Sequence, residues 1–484
     1  VMVKGTSMGA ATDQFGNFIL DDLAVGSYTI YVTMIGYKSV NRSNVHVVPK
    51  RTTTINFSLN QSILEGDGVE VTATYFENMK DAVTSSRTVD IEEIRSDPVG
   101  SYDIMTMMQA LPSVVSGSDQ SNEIIVRGGS YGENLFVMDF LEIPYPNHYP
   151  EQGKGGGPIT MVDTEFIERI DFYAGAFPAR YGEKLSSVMD VTLREGNIHS
   201  HHQQMDLNMA GFGFTFEGPL SPKSTYLYSL KRSFLDFVIS STGMQAIPEY
   251  WSSQGKIAYH LSPTQKIYIN FIGGIDKINI EGEDNPQLRG AENVDYSSWQ
   301  TTLGVTYKNL FSKKGYFQSS IGRSLVHLNT NVYELNDNPT RNYYYRNNDL
   351  ESDYSFRSEV VYKLFDNVEI SSGLSAKHVE LDFDNWYKNN PTYIYGYSLS
   401  ESEIPQLITK VKFDTTYFGK QYFYTIIDSV GTLDTLKTNA LLEYNKVGGF
   451  FHFNLNPLQK VEISIGGRFD YMTFTDESDF SPRF

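Results

Sequence analysis

Long alternations of apolar and polar residues dominate the second half of the chain. Val461, Ile463, Ile465, Phe469 and Tyr471 share one face, and Glu462, Ser464, Arg468 and Asp470 the other. Phe451, Phe453 and Leu455 alternate with His452, Asn454 and Asn456. Val368, Ile370, Leu374 and Ala376 alternate in the same way with Glu369, Ser371, Ser375 and Lys377. Period two predicts strands, because successive side chains of a strand point to opposite faces. A strand of a soluble sandwich is typically about 5–6 residues, and these runs are about twice as long. One apolar face and one charged face suit a wall with lipid outside and a wet lumen inside.

The connections carry independent information. Short turns are expected at Ser221-Pro222-Lys223, Ser262-Pro263-Thr264, Ser312-Lys313-Lys314, Asp366-Asn367 and Asn456-Pro457-Leu458. Long ones are expected near 235–252, 276–297, 331–350 and 383–440. Short and long alternate throughout, as the periplasmic turns and extracellular loops of an outer-membrane barrel do. A chain entering from the periplasmic side runs outward on its first strand. Residues 202–220 must then hold two strands, with Gly211-Phe212-Gly213 as the hairpin between them. About eleven strands result and a twelfth begins, roughly half of a barrel of about 22 strands. No run reaches the ~18 apolar residues of a transmembrane helix, whereas a barrel strand needs only about 9–11.

The first half has other textures. Residues 1–60 alternate over short runs, including Tyr28, Ile30 and Val32, with turns at Gly16-Asn17, Gly26-Ser27 and Gly36-Tyr37, and predict a small β-sandwich. Residues 61–80 read as a linker with a strand-like core, Val69-Glu70-Val71-Thr72-Ala73. Residues 81–198 read as an α+β domain. A helix is expected from Tyr102 to Leu111, with Ile104, Met107, Met108 and Leu111 on one face, Ser101 as cap and Pro112 as terminator. A second short helix is expected over Val162–Phe166. Residues 199–484 form the barrel part. The chain opens in what reads as the middle of a strand and stops at what looks like the beginning of another, so the expectation is a mainly β protein cut at either end.

Composition narrows the function classes. The 484 residues include 33 Tyr and 30 Phe, as an aromatic-rich β surface requires. A net charge of -19 argues against nucleic acid, which needs a basic face. The absence of cysteine excludes disulfides, thiolate metal sites and a cysteine nucleophile.

The middle domain carries the most specific motifs. Met108-Gln109-Ala110-Leu111-Pro112-Ser113-Val114 precedes Glu123-Ile124-Ile125-Val126-Arg127-Gly128-Gly129-Ser130 and Asn134-Leu135-Phe136-Val137-Met138-Asp139. Phe166-Ile167-Glu168-Arg169-Ile170-Asp171-Phe172-Tyr173-Ala174-Gly175 follows. Then come Phe177-Pro178-Ala179-Arg180-Tyr181-Gly182 and Ser187-Val188-Met189-Asp190-Val191-Thr192. In order and spacing these resemble the plug domain of TonB-dependent outer-membrane receptors, of the Bacteroidetes type. Thr12 to Asn17, Leu23 to Ile30 and Gly36-Tyr37 resemble a carboxypeptidase regulatory-like domain, over about the first 60 residues. One departure stands out. The family usually has Asp-Gly after the hydrophobic strand, and here it is Asp139-Phe140, so a turn of different geometry is expected.

The resemblance implies an importer in the bacterial outer membrane that draws on TonB and its inner-membrane energising complex. Its partners would be outer-membrane lipid and an extracellular ligand, with a surface lipoprotein as an open further partner. Ferric chelates, cobalamin, glycans and peptides all fit as ligand. Val69, Glu70, Val71, Thr72 and Ala73 look like the TonB box, which could add as a strand to a partner's sheet edge. Arg127, Arg169 and Arg180, with Gly128, Gly129, Asp139, Tyr181 and Gly182, form the plug motif. Arginine forks could hold a plug to lumen carboxylates through exchangeable bonds, with Glu462 and Asp470 as candidates. Tyr343, Tyr344, Tyr345, Trp386, Tyr387, Tyr393 and Tyr395 are expected in outer loops. There they would stack on a ligand, or else pack the loops or form the aromatic girdle.

Other motifs carry no chemistry. Gly5-Thr6-Ser7-Met8-Gly9 matches a nucleophile elbow but lies in a β hairpin without partners. Gly153-Lys154-Gly155-Gly156-Gly157 lacks the ending of a phosphate loop. His199, His201 and His202 read as a solvated hinge rather than a metal site. No catalytic residue, metal or cofactor is expected, and an enzyme is not. A surface signal receptor with little transport, or a soluble β adhesin, are the alternatives to import.

Overall fold

In the computed structural model the long alternating segments are strands whose polarity is inverted relative to a soluble protein. On the wall strands the outward Ile321 and Leu374 are 66% and 65% exposed, while the inward Thr306 and Gln254 are 0% and 1% exposed. Apolar side chains face out and polar ones are buried within, as a lipid-facing wall around a polar interior requires. The structure describes residues 1–3, 8–13, 16–21, 23, 26–34, 40–47, 55, 57, 86–96, 103–117, 122–152, 156–157, 159–175, 177–208, 211–234, 246–280, 293–335, 341–365, 367–388, 392–398, 413–417, 420–430, 435–458 and 461–484. The chain divides into two units, Val1–Met79 and Lys80–Phe484.

In the first unit, β1 (Met2–Val3), β2 (Gly26–Val32) and β3 (Val40–Val47) form an antiparallel sheet in that order. Val3, Ile30, Val32 and Val45 make its core. The turn expected at Gly16-Asn17 is present, with Gly16 at φ 85 and the Asp13 carboxylate accepting from Asn17 N at 2.8 Å. Gly26 and Ser27 instead open β2.

The second unit contains an inner domain and the wall. The inner domain has β4 (Ser86–Asp90), β5 (Val114–Ser116), β6 (Ile124–Val126), β7 (Asn134–Met138), β8 (Leu141–Glu142), β9 (Ile167–Tyr173) and β10 (Ser187–Leu193). Its main sheet has the order β4-β9-β10-β7-β8, with β7 and β10 parallel. Phe166, Ile167, Ile170, Phe172, Met138 and Met189 are fully buried against it. Helix Ile104–Gln109 packs Ile104 and Met108 into this core. Its cap is Asp103, not Ser101: the Asp103 carboxylate accepts from Met105 N and Thr106 N and is itself fixed by Asn122 and Thr160 N. The second expected helix is a single 3-10 turn, Thr164–Phe166, capped by Asp163. A helix at Ile91–Ser96 has no counterpart in the expectation.

The wall is a twelve-stranded antiparallel sheet. It runs through β11 (His202–Asn208), β12 (Gly211–Ser221), β13 (Ser224–Arg232), β14 (Ala246–Ser262), β15 (Gln265–Ile280) and β16 (Asn293–Ser312). It continues through β17 (Gly315–Leu335), β18 (Arg341–Phe365) and β19 (Val368–Lys388). A separate small sheet of β20 (Thr392–Ser398), β21 (Phe413–Tyr417) and β22 (Lys420–Val430) intervenes before β23 (Thr435–Leu458), β24 (Val461–Met472) and β25 (Glu477–Arg483) complete the wall.

Residues 202–220 do hold two strands, but Gly211, Phe212 and Gly213 begin the second rather than turning between them. The short turns fall as expected after β12, β14, β16 and β18, closed by the pairs Ser221↔Ser224, Ser262↔Gln265, Ser312↔Gly315 and Phe365↔Val368. The link between β11 and β12 is short, as expected, though it falls at residues 209–210, and the alternation with long connections fails where only residues 473–476 join β24 to β25. Strands β17 and β18, 21 and 25 residues long, together absorb most of what the sequence presents as a loop at 331–350.

Candidate functional site

The inner domain meets the wall through polar and charged contacts that cluster at its motifs, beside apolar ones in which Leu227 and Ile272 join its core and Val326 and Leu328 pack on Tyr145. The hydrophobic strand β7 ends in a two-residue turn, with Met138↔Leu141 and Val137↔Glu142 paired across it. Asp139 has φ 48 and Phe140 φ 73. Both central residues at positive φ is the hairpin geometry that Asp-Gly would give. The expectation of a different turn is therefore corrected: Phe140 adopts the left-handed conformation itself. The wall surrounds it. Lys256 Nζ lies 2.7 Å from Asp139 Oδ2, with both side chains buried, and donates to Leu193 O at 2.5 Å. Thr306 Oγ1 donates to Asp139 O at 3.0 Å, and Ser320 Oγ to Phe140 O at 3.0 Å. The Arg357 guanidinium stands 4.4 Å over the Phe140 ring.

The three motif arginines take different roles. Arg180 Nη1 lies 3.6 Å from Glu359 Oε1 on β18, a buried carboxylate of the wall. Arg169 pairs at 2.9 Å with Asp171 of its own strand. Arg127, at φ 51 beside Gly128 at φ 80, lies against Gly175. Asp470, expected as an arginine partner from the wall, is engaged by the wall's own Arg468 through two hydrogen bonds of 2.6 and 2.7 Å. The side chain of Glu462 lies outside the described residues. Arg468 still reaches the motif, donating to Arg180 O at 3.4 Å. It passes so close to Gly182 that a Cβ there would collide with the guanidinium. Tyr181 donates to Asp190 Oδ2 at 2.6 Å, and burial raises the Asp190 carboxyl above its usual range. Gly129 packs against Ser186 and Glu133.

Several further contacts join inner domain and wall. His148 Nδ1 lies 2.5 Å from Asp276 Oδ1, both fully buried, and Asp276 also accepts from Tyr149 N and Ser298 Oγ. Lys231 pairs with Asp163 at 3.0 Å, and Arg194 forks onto Glu217 at 2.7 and 3.3 Å. Lys377 contacts Glu142 at 2.7 Å and Glu183 at 3.4 Å, and Lys446 reaches Glu183 at 2.8 Å. Burial works to raise the Glu183 carboxyl, but the Lys377 and Lys446 ammoniums outweigh it and hold it at about 2. Glu195 gathers His260, Lys266 and Tyr268 within 3.0 Å. Against its burial, Lys266 and His260 likewise hold it at about 2. The sequence could not pair these groups, because partners lie far apart in the chain and the strand register decides which of them meet.

The aromatic candidates do not sit in loops where the structure describes them. Tyr343, Tyr344 and Tyr345 are on β18, and Trp386 and Tyr387 on β19, with Tyr345 directly opposite Tyr387. The faces of Tyr343 and Trp386 flank the Arg346 guanidinium, 3.6 and 5.9 Å from the ring centres, and Lys388 lies 5.8 Å over Tyr344. Tyr387 is 47% exposed. Tyr393 and Tyr395 belong to β20, and their side chains lie outside the described residues, as does the whole segment Val69–Ala73. Among the described residues no group of three metal-ligating side chains occurs. His201 and His202 contact Tyr226 and Ser200 instead.

A lipid-facing strand wall whose lumen holds a small α+β domain defines an outer-membrane barrel closed by a plug. Comparison with known families agrees. Residues 1–60 match the carboxypeptidase regulatory-like domain, and residues 78–187 the TonB-dependent receptor plug domain. The plug domain, the regulatory-like domain before it and the barrel fold after it are together those of TonB-dependent outer-membrane receptors. The chain is 24% identical over 195 residues to the TonB-dependent transporter Oar of Myxococcus xanthus, covering 39% of this chain and 18% of Oar. It is 22% identical over 265 residues to the vitamin B12 transporter BtuB of Vibrio vulnificus, covering 54% of this chain and 39% of BtuB. Its fold matches a mutant of the ferric enterobactin receptor PfeA of Pseudomonas aeruginosa at a TM-score of 0.56 and 15% identity, over 85% of this chain and 60% of that one. The chain thus spans less than two thirds of these relatives.

Proposed function

We propose that the protein is an energy-coupled importer of a ligand too bulky or too scarce for passive diffusion. The observation that carries this reading is the chemistry of the plug–wall interface. Apart from small apolar contacts at Leu227, Ile272, Val326 and Leu328, it is built from ion pairs and polar hydrogen bonds, among them Lys256–Asp139, Arg180–Glu359 and Lys377–Glu142. Water can substitute for each of these contacts as the plug shifts, whereas a large apolar interface would hold the plug permanently. The two curated relatives are named as transporters, which supports the same reading. In it, Val69–Ala73 is the handle that TonB grips by strand addition. The lumen-facing Tyr345 and Tyr387 and the plug segment 145–150 are the first surfaces a ligand meets. Tyr145 donates to Glu351, and Tyr296 to Pro150 O, so this segment is tied to the wall it would move against.

The test uses the full-length gene expressed in the outer membrane, with and without deletion of residues 69–73. Growth on one nutrient that disappears with the deletion establishes coupled import and names the ligand class. Unchanged growth on every nutrient, with ligand-dependent transcription lost, identifies a signal receptor instead.

A further inference from the structure

We propose that the Asp139–Phe140 turn is a clasp held shut by the wall, and that it opens ahead of the sheet it terminates when the plug is displaced. The left-handed region is sterically costly for any residue with a Cβ, and more so for a bulky one such as Phe140. Asp139 at φ 48 and Phe140 at φ 73 both occupy it. Such strain persists only where the surroundings over-determine the backbone.

The surroundings that do so belong mostly to the wall. Lys256 of β14 holds the Asp139 carboxylate. Thr306 of β16 and Ser320 of β17 donate to the carbonyls of the two strained residues themselves. Arg357 of β18 covers the Phe140 ring. Four wall strands therefore each place one side chain on a two-residue turn. The plug's own contribution is smaller: Asp139 N donates to Val191 O, and Asp139 Oδ1 accepts from Leu193 N.

Displacement treats the two sets of contacts differently. Once turn and wall separate by the width of a water molecule, water replaces the hydroxyls and the ammonium at little cost. The steric cost at Phe140 remains and is no longer opposed, so the turn relaxes. Strand β7 keeps its parallel neighbour β10 and its apolar core, and stays folded. The strain thus marks the place where the plug first changes shape. This argument needs only a plug seated in a wall, and it holds whether the receptor imports or signals.

Amide hydrogen exchange on the full-length receptor in detergent tests it. Thr306→Val and Ser320→Ala together remove the two wall donors with little change in volume. With Phe140 present, exchange at the amide of Ile143, which donates to Phe136 O across the hairpin, is expected to rise about tenfold or more, since each strained residue is held against a cost of that order. In a Phe140→Gly background the same pair of substitutions is expected to change exchange by less than about twofold, because glycine holds positive φ without help. Equal acceleration in both backgrounds, or none with Phe140, overturns the clasp. So does parallel acceleration of the β9 and β10 amides, which would mean that the whole plug has loosened. If the double substitution does not fold, Ser320→Ala alone supplies the same comparison.

Discussion

Lys256, on the wall, and Asp139, at the end of the plug's hydrophobic strand, meet at 2.7 Å with both side chains out of contact with solvent. A buried ion pair of this kind gains little net stability when whole, but removing one partner strands a charge, at a cost of about 3–5 kcal/mol. Lys256→Met is therefore expected to loosen the plug strongly, and Asp139→Asn combined with Lys256→Met to recover much of the loss. Protease accessibility of the plug in the full-length receptor checks both; equal loosening by the single and double variants would mean that the pair is not the determinant.

Glu183 gives a pH dependence with a definite sign. Its carboxyl is held at about 2 against an ordinary value of 4.5 by Lys377 and Lys446. A depressed acid contributes stability that is full above its unfolded pKa and is lost as pH falls through the folded one. Plug retention is expected to weaken as pH falls from 4.5 towards 2. In Glu183→Gln that part of the profile flattens. Plug exposure measured across this range, wild type against variant, decides it.

Gly182 is a packing requirement. Gly182→Ala is expected to displace Arg468, which then loses its contact with Arg180 O. Arg468→Ala in the same chain removes the collision, so the double variant should retain its plug better than Gly182→Ala alone. Thermal unfolding of the purified full-length receptor checks this ordering.

The inverted polarity of the wall predicts opposite tolerance on its two faces. Leu374 points out and Ser371 in, at 65% and 4% exposure. Leu374→Arg places a charge in lipid, at about 2–4 kcal/mol near the bilayer midplane. It should lower the folded fraction seen by heat-modifiable gel mobility, whereas Ser371→Asn should not.

What the sequence reveals of this molecule follows from the range of each interaction. The alternation around Leu374, Phe451 and Ile463 is local, so strand type and the lipid face are legible. Two strands in 202–220 follow from parity alone. Gly211 and Gly213 mislead because glycine marks both turns and close approaches; here a Cβ at either would strike Arg232 or Asp206 and Lys231. Tyr343 to Tyr345 lie in a polar, Asn-rich stretch that reads as a loop until pairing with β17 and β19 draws it into a strand. Arg180 and Glu359 could not be matched without the register of the wall. The geometry of the Asp139–Phe140 turn is not legible for the same reason, since what holds it is supplied by four strands that come much later in the chain.

The lumen side of the wall is rich in short neutral polar side chains, among them Ser298, Gln300, Thr302, Thr306, Ser320 and Ser324. Between the inward charges such as Lys256, Asp276 and Glu359, such a surface offers a travelling solute hydrogen bonds that exchange rapidly with water. On the import reading, the space left wherever the plug withdraws from it is wetted at once, and a ligand enters a path that is already hydrated.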